Sequence, residues 1–359
     1  MFFKRTQGRS RWLVLLTLSV VSVVIMSGFI IIVDDDLIND EYLFYALMGK
    51  TFHADVYVMF PDGRVKRVSP SVDGVYYQPH IHPDGTSVVF FGNDIGPPRV
   101  WKANLVSGNV VALTPPDSGA RQPVFSWDGS LIAFSSDRAY EQEPERIELM
   151  RGNGLPPKDL VLNLFVMDVD GRNVHQVTFG MYQDQRPSFS PDGKTLVFVS
   201  NREGGKRLWL VPVDGNDDPR PLQSNGWGYR PWFSTDGQWI FFFTNVNGRH
   251  QIYRIPTEGG KISPFLNDDR GSSHGPFADP NGGVLLMHST RGGKWGIWEL
   301  PLDGSPPRSI QPPGFEGALH ATRSKNGFLA FDVSKSKWVR RVASSLSSFL
   351  GRVRRGFSP

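Results

Sequence analysis

Cysteine is absent from this chain of 359 residues, which excludes disulfide bonds and thiolate metal sites. Acidic side chains are absent from both ends: the first 33 residues carry four basic residues and the last 25 carry seven, without one Asp or Glu. The formal charge of +4 therefore becomes −7 once these eleven basic residues are set aside. Because phosphate neutralisation needs a clustered basic face, this acidic body disfavours nucleic-acid binding.

A long run without charge covers residues 12–33, between a basic segment at 1–11 and three aspartates at 34–36. As a helix, these 22 residues would measure about 33 Å, enough to cross a bilayer core. A cleaved signal peptide is the alternative, but its apolar region is usually only about 7–15 residues long. We therefore predict an uncleaved, single-pass anchor in the inner (cytoplasmic) membrane. The basic end would stay cytoplasmic, and everything from the linker at 34–53 onward would be extracytoplasmic.

A phrase recurs along the rest of the chain. It reads QPHIHPDG, RQPVFSWDG, QRPSFSPDG, YRPWFSTDG, HGPFADPNG and HATRSKNG. The six copies end at Gly85, Gly129, Gly193, Gly237, Gly282 and Gly327, so the gaps are 44, 64, 44, 45 and 45 residues. A fixed period near 44, with one insertion of about 20, indicates an array of equivalent supersecondary units.

Each unit has the sequence features of four short strands. The D-G and G-G dipeptides are typical of hairpin turns, and runs such as 196–200 and 240–244 are β-branched and aromatic. Four strands in about 44 residues are typical of a propeller blade. Residues 54–68 resemble the second half of a unit and 320–333 the first half. We therefore predict an all-β, six-bladed β-propeller over 54–333 in which both ends complete one blade and no sheet edge is left free.

The repeat R-P-x-F-S-x-D-G-x-x-x-x-F-x-S-x-R, followed by a strand and V-D-G, resembles that of TolB-type propellers, a WD-repeat-like family of cell-envelope proteins. The resemblance covers roughly residues 54–333. Only about 20 residues separate the predicted anchor from the first strand, whereas the TolB of the Tol-Pal system carries a separate N-terminal domain there. The resemblance therefore implies a membrane-anchored relative. It also implies that the channel mouth is the surface for partner docking.

The innermost strand of each blade starts beside the central channel, so the residues seven and eight before each turn glycine are predicted to form a channel-mouth ring. Its members are Tyr77, Gln78, Arg121, Gln122, Gln185, Arg186, Tyr229, Arg230, His274 and His320. These long, polar and cationic side chains suit a carboxylate or an acidic peptide segment, since Arg offers paired donors. The alternative is a structural role, in which they bond the backbones of neighbouring blades.

Two further residue sets raise the question of chemistry. The turn aspartates Asp84, Asp128, Asp192 and Asp236 lie in separate blades and are predicted to cap turn amides. His80 and His82 would share a strand face. Together with His274, His288 and His320 they are candidates for a divalent ion, as in propeller polysaccharide lyases, although no ligand spacing here is diagnostic. No catalytic constellation and no cofactor are predicted.

Two segments depart from the blade pattern. The insertion at 139–160 is rich in Glu and Pro and is predicted to be disordered. The alternative is a binding lid. Residues 334–359 place apolar side chains at spacings of three and four among basic ones, which predicts an amphipathic helix on the membrane surface. The alternative is a helix packed against the propeller.

The leading hypothesis from sequence is a non-enzymatic, membrane-anchored scaffold that binds an envelope protein or peptide at the channel mouth. A metal-dependent lyase or hydrolase acting on an acidic saccharide in the channel is the second hypothesis. Stoichiometric metal in the purified protein would favour the second hypothesis over the first.

Overall fold

The structure is a computed structural model that describes residues 21–26, 29–34, 53–70, 74–93, 96–138, 161–222, 227–246, 249–266 and 270–334. The chain divides into two compact units, Met1–Phe52 and His53–Pro359. The predicted insertion loop at 139–160, the predicted basic helix over 335–359 and most of the predicted linker lie outside the described residues.

The first unit contains two strands, β1 (Val21–Met26) and β2 (Phe29–Asp34). They pair antiparallel, from Val21 opposite Asp34 to Met26 opposite Phe29. At these twelve residues the structure has strands where the sequence predicts a helix, and eight of them are Val or Ile, whose branched Cβ favours strands. In the described part of the chain no helix is long and apolar enough to cross a membrane.

The second unit begins with six strands. They are β3 (Ala54–Met59), β4 (Val65–Arg67), β5 (Val75–Ile81), β6 (Ser87–Asn93), β7 (Arg99–Asn104) and β8 (Val110–Ala112). The hairpin of β3 and β4 is antiparallel, and β5 to β8 form an antiparallel meander.

Four separate sheets of four strands follow along the chain. Their strands are β9 (Arg121–Phe125), β10 (Leu131–Ser136), β11 (Asn163–Asp168) and β12 (His175–Gln176); β13 (Gln185–Phe189), β14 (Thr195–Ser200), β15 (Arg207–Pro212) and β16 (Arg220–Pro221); β17 (Tyr229–Phe233), β18 (Trp239–Val246), β19 (Arg249–Pro256) and β20 (Ser263–Leu266); and β21 (Ser273–Ala278), β22 (Val284–Ser289), β23 (Gly296–Pro301) and β24 (Arg308–Ser309). In each sheet the strands lie side by side in sequence order, as in a propeller blade.

The last two strands, β25 (Ala318–Arg323) and β26 (Leu329–Ser334), return to the beginning of this unit. β26 pairs antiparallel with β3 over six residue pairs, so that β25, β26, β3 and β4 are hydrogen-bonded in that order. One parallel pair, Ala54 with Val75, joins this group to the β5–β8 meander in an eight-stranded sheet. The described residues of the second unit therefore form an all-β propeller.

The turns between the first two strands of the sheets explain the recurring D-G. Gly85, Gly129, Gly193 and Gly237 have φ between +70° and +79°, a conformation that glycine adopts without steric cost. The aspartate before each glycine accepts the backbone N–H two residues later, at 2.8–3.0 Å. The turn aspartates therefore have the structural role that the sequence predicts.

The hydrophobic core lies between neighbouring sheets. Phe198 of β14 and Trp209 of β15 pack with Leu164 and Val166 of β11, while Val197 and Leu208, on the opposite face of the same sheet, pack with Phe233 of β17. Burying a side chain of this size contributes about 1.5–3 kcal/mol. Successive sheets are therefore held face to face, which directs their first strands towards a common centre.

Candidate functional site

The first strands β5, β9, β13, β17, β21 and β25 converge on a cavity of about 90 Å³. Three consecutive positions of five strands, and two of β13, supply the lining, and we call them the first, second and third rows. The first row consists of Gln78, Gln122, Arg186, Arg230, Gly275 and His320. The second row is proline in five strands and Ala321 in β25. The third-row lining consists of His80, Val124, Trp232, Phe277 and Thr322.

The first row has an unusual backbone conformation. Gln78, Gln122, Arg186, Arg230 and His320 have φ between +48° and +58°, and Gly275 has φ +59°. Among the described residues, Asn173 is the sixth non-glycine residue at positive φ. The register of each first strand with its neighbour shifts at this position, as in a β-bulge. Since a left-handed non-glycine residue costs about 1–2 kcal/mol, the fold holds the five non-glycine positions against strain, which is typical of functional sites.

Hydrogen bonds within and beside the first row connect strands that are not hydrogen-bonded neighbours in a sheet. The N–H of Arg186 donates to Oε1 of Gln122 at 2.9 Å, and the N–H of Gln78 donates to Oδ2 of Asp332 at 2.7 Å. Nη2 of Arg230 lies 2.8 Å from Nε2 of His320. Some ring side chains therefore bond residues of other sheets, as in the structural alternative predicted from the sequence.

Five of the ten predicted ring residues line the cavity: Gln78, Gln122, Arg186, Arg230 and His320. The other five, one position earlier, are outside the lining, because the direction of side chains alternates along a strand. Tyr77 packs edge-on against Phe91, Arg121 pairs with Asp137, Gln185 is buried in its sheet, and Tyr229 and His274 stack on Phe243.

His80 in the third row is a buried, neutral imidazole. Burial, together with the nearby His82, lowers the pKa of His80 to about 3. Nδ1 of His80 accepts the N–H of Phe125 at 3.1 Å, so the ring proton is on Nε2. The ring lies 5.2 Å from that of Trp232, which comes from β17. Sequence reasoning named His80 only as a possible metal ligand and missed its contact with Trp232.

The histidines do not assemble a metal-ligand set in the part of the chain that the structure describes, where no three His, Asp or Glu side chains are placed to hold an ion. His82 contacts Asp84 through Nδ1 and the carbonyl of Gly129 through Nε2. His274, His288 and His320 instead form a row of rings with centroid separations of 5.3 and 5.0 Å.

The charges at the cavity are set by three groups. Arg186 and Arg230 bring positive charge to the first row, and the buried carboxylate of Asp332 lies behind it. Asp332 was not predicted, because its sequence position in β26 shows no relation to the repeated phrase. The cavity offers cationic and N–H donor groups between walls of proline and aromatic rings, which suits a ligand with acceptor oxygens.

Comparisons with known proteins agree with this architecture. A family model described as the TolB beta propeller domain matches residues 157–316. The Protein TolB homolog of Chlorobium luteolum is 31% identical over 151 residues, covering 36% of this chain and 35% of that protein. The Tol-Pal system protein TolB of Bordetella pertussis is 36% identical over 47 residues, covering 13% of this chain and 11% of that protein. The chain therefore matches about a third or less of the length of these relatives.

The fold has a close counterpart among solved structures. A putative TolB from Agrobacterium tumefaciens superposes with a TM-score of 0.63 at 15% identity, covering 79% of this chain and 99% of that one. At this identity the likeness concerns the fold alone. With the family model and the sequence matches, it shows that the chain contains a TolB-type β-propeller.

Proposed function

We propose that this protein is a non-enzymatic binding scaffold of the cell envelope, and that its cavity binds an acidic segment of another envelope protein. The observation that carries the proposal is the convergence of Gln78, Gln122, Arg186, Arg230 and His320 on one cavity. These residues come from five different strands that are far apart in sequence. A strained backbone repeated at each of them is difficult to explain by sheet formation alone.

The proposed scaffold is a ring of six blades closed by both ends of the propeller sequence. The first-row conformation supports this count, because it occurs once in each of the six first strands. The order β25, β26, β3 and β4 supports a composite blade, and β5 to β8 supply another beside the four separate sheets. Closure in this way would leave only the outer edge of each blade open.

The proposed ligand is acidic because the first row contributes Arg186 and Arg230. Guanidinium groups bind carboxylates with paired hydrogen bonds, and partial burial strengthens the attraction relative to bulk water. The relative in Bordetella pertussis is named for the Tol-Pal system. A protein of such an envelope assembly is accordingly the class of partner that we propose.

The proposed location is extracytoplasmic, with attachment to the inner membrane through residues 12–33 and a membrane-surface role for 334–359. The support is compositional: 22 uncharged residues in the first segment, and basic residues among apolar ones in the second. Alkaline extraction of membranes tests the first attachment. Liposome flotation of a chain without residues 1–33, compared with and without residues 335–359, tests the second, and equal flotation of the two would remove it from the proposal.

Cross-linking followed by affinity capture tests partner binding. The double variant Arg186→Glu and Arg230→Glu should lose the partner, because two attractive charges become repulsive. Arg172→Glu is the matched control, since this exposed arginine lies outside the cavity beside Asp170. Equal capture by the double variant and the control, with both folded, would refute an acidic ligand at the first row.

A further inference from the structure

Two buried N–H groups without partners lie in the third row of the cavity lining. Nε2 of His80 and Nε1 of Trp232 are both buried, and neither has a hydrogen-bond partner among the residues that the structure describes. His80 is 6% exposed, and both residues line the cavity. Buried polar atoms are rarely left unpaired in folded proteins, so this pair requires an explanation.

Both atoms are hydrogen-bond donors. The indole N–H of Trp232 has no acceptor capacity. On His80, Nδ1 already accepts the N–H of Phe125, which leaves the proton of the neutral ring on Nε2. The low pKa of His80 keeps the ring neutral across the physiological range. The third row therefore contains two uncharged donors, which a ligand with acceptor oxygens would satisfy.

We infer that the cavity is a carboxylate site, in which one carboxylate enters beyond Arg186 and Arg230 and accepts hydrogen bonds from Nε2 of His80 and Nε1 of Trp232. This inference rests on the proposed function and deepens it by naming the group that is bound and how far it reaches. The carboxylate belongs to a chain terminus, to an Asp or Glu side chain, or to a small free acid, which share the same chemistry.

The size and the walls of the cavity fit this group. Its volume of about 90 Å³ is several times the ~10–15 Å³ that one water needs on the same measure. The first and third rows are two residues apart along each strand, roughly 7 Å at strand spacing. A carboxylate between them can therefore approach the arginines and the two donors together. Apolar walls, including Val124 and Phe277, keep competing water away and strengthen these bonds.

The site is tested on the full-length chain in detergent by titration calorimetry with four probes. They are sodium acetate, an amidated peptide with one Asp, a peptide without acidic side chains but with a free C terminus, and the same peptide amidated. The amidated peptide without acid should not bind. The strongest of the other three identifies the source of the carboxylate, and failure of all three would overturn the inference.

Two variants test the donors. His80→Asn keeps an acceptor where Nδ1 was, so the bond from Phe125 survives, but it removes the Nε2 donor. Trp232→Phe keeps the ring and removes the indole N–H. Each should weaken binding of the preferred probe about tenfold, as expected for one hydrogen bond to a charged group. Trp209→Phe is the matched control, because Nε1 of Trp209 is also buried without a partner among the described residues but lies outside the cavity. The affinity of this variant for the preferred probe should stay within about twofold of that of the unchanged protein.

The outcomes separate this inference from the proposed function. If both donor variants bind every probe as tightly as the unchanged protein while remaining folded, the inference fails. Loss of the envelope partner in the double arginine variant would in that case leave the proposed function standing. If acetate binds with the predicted dependence on His80 and Trp232 but no partner is captured, the carboxylate site stands and the proposed function fails.

Discussion

His320 and Asp332 form a buried pair on the neighbouring strands β25 and β26. Nδ1 of His320 donates to Oδ2 of Asp332 at 2.6 Å, and the same oxygen accepts the N–H of Gln78 at 2.7 Å. Because Nδ1 carries the proton, Nε2 of His320 accepts from Nη2 of Arg230 at 2.8 Å. One carboxylate behind the cavity therefore orients three first-row residues.

Replacing Asp332 by Ala should destabilise the protein and disorder the first row. The N–H of Gln78 and Nδ1 of His320 would lose their acceptor, at a cost of about 1–3 kcal/mol for each buried group. Chemical denaturation measures the loss. Asp62→Ala is the control, since Asp62 is exposed and bonds only its neighbour Arg64 among the contacts described. Similar midpoints for the two variants would contradict the role given to Asp332.

Gly275 should be the least replaceable residue of the first row. A Cβ there would lie 2.8 Å from Cε1 of His288 and 3.4 Å from Cδ of Arg230, at φ +59°. Gly193 has φ +71° with nothing within 4 Å of an added Cβ. Gly193→Ala therefore costs the backbone strain alone, about 1–2 kcal/mol, and Gly275→Ala must cost more because of the crowding. Equal free energies of unfolding would show that the crowding is relieved by small shifts.

The sequence was sufficient to predict the propeller, because the signals that build it are local. The turn glycines, the aspartates before them and the β-branched second strands repeat at the same spacing, and each has one favoured conformation. The repeat also predicts that residues seven positions before the turn glycines lie close together, and the structure places these residues in the cavity lining. The residues eight positions before the glycines are outside the lining, because side chains alternate in direction along a strand.

Three features could not be predicted from the sequence. Four of the five strained first-row residues precede a proline, and a residue in that place normally favours an extended backbone. Tertiary pairing overrides this preference. Asp332 joins the site through its side chain in β26, at a position that the repeated phrase does not include. The strands β1 and β2 occur in a run whose length and lack of charge indicate a helix, while its Val and Ile content favours strands.

The turn aspartates should affect stability without affecting binding. Oδ1 of Asp192 accepts from the hydroxyl of Ser190 at 2.5 Å and from the N–H of Lys194 at 3.0 Å, and these bonds lower the pKa of Asp192. Asp192→Ala should cost about 1 kcal/mol in the free energy of unfolding. The affinity of this variant for the preferred carboxylate probe should be unchanged, because the turn is outside the cavity lining. A weakened affinity would mean that the turn and the first row are coupled.

His80 should make the stability of the protein depend on pH. Its pKa is lowered from 6.5 to about 3 by burial, so between these values the unfolded chain binds a proton that the folded protein does not. The stabilisation is therefore complete above about pH 6.5 and is lost as the pH falls towards 3. One such proton changes the free energy of unfolding by about 1.4 kcal/mol per pH unit. In His80→Asn the slope between pH 4 and 6, measured by urea denaturation, should be smaller by up to this amount. Equal slopes in the two proteins would show that His80 takes up its proton equally in the folded and unfolded states, which would contradict the lowered pKa of the folded protein.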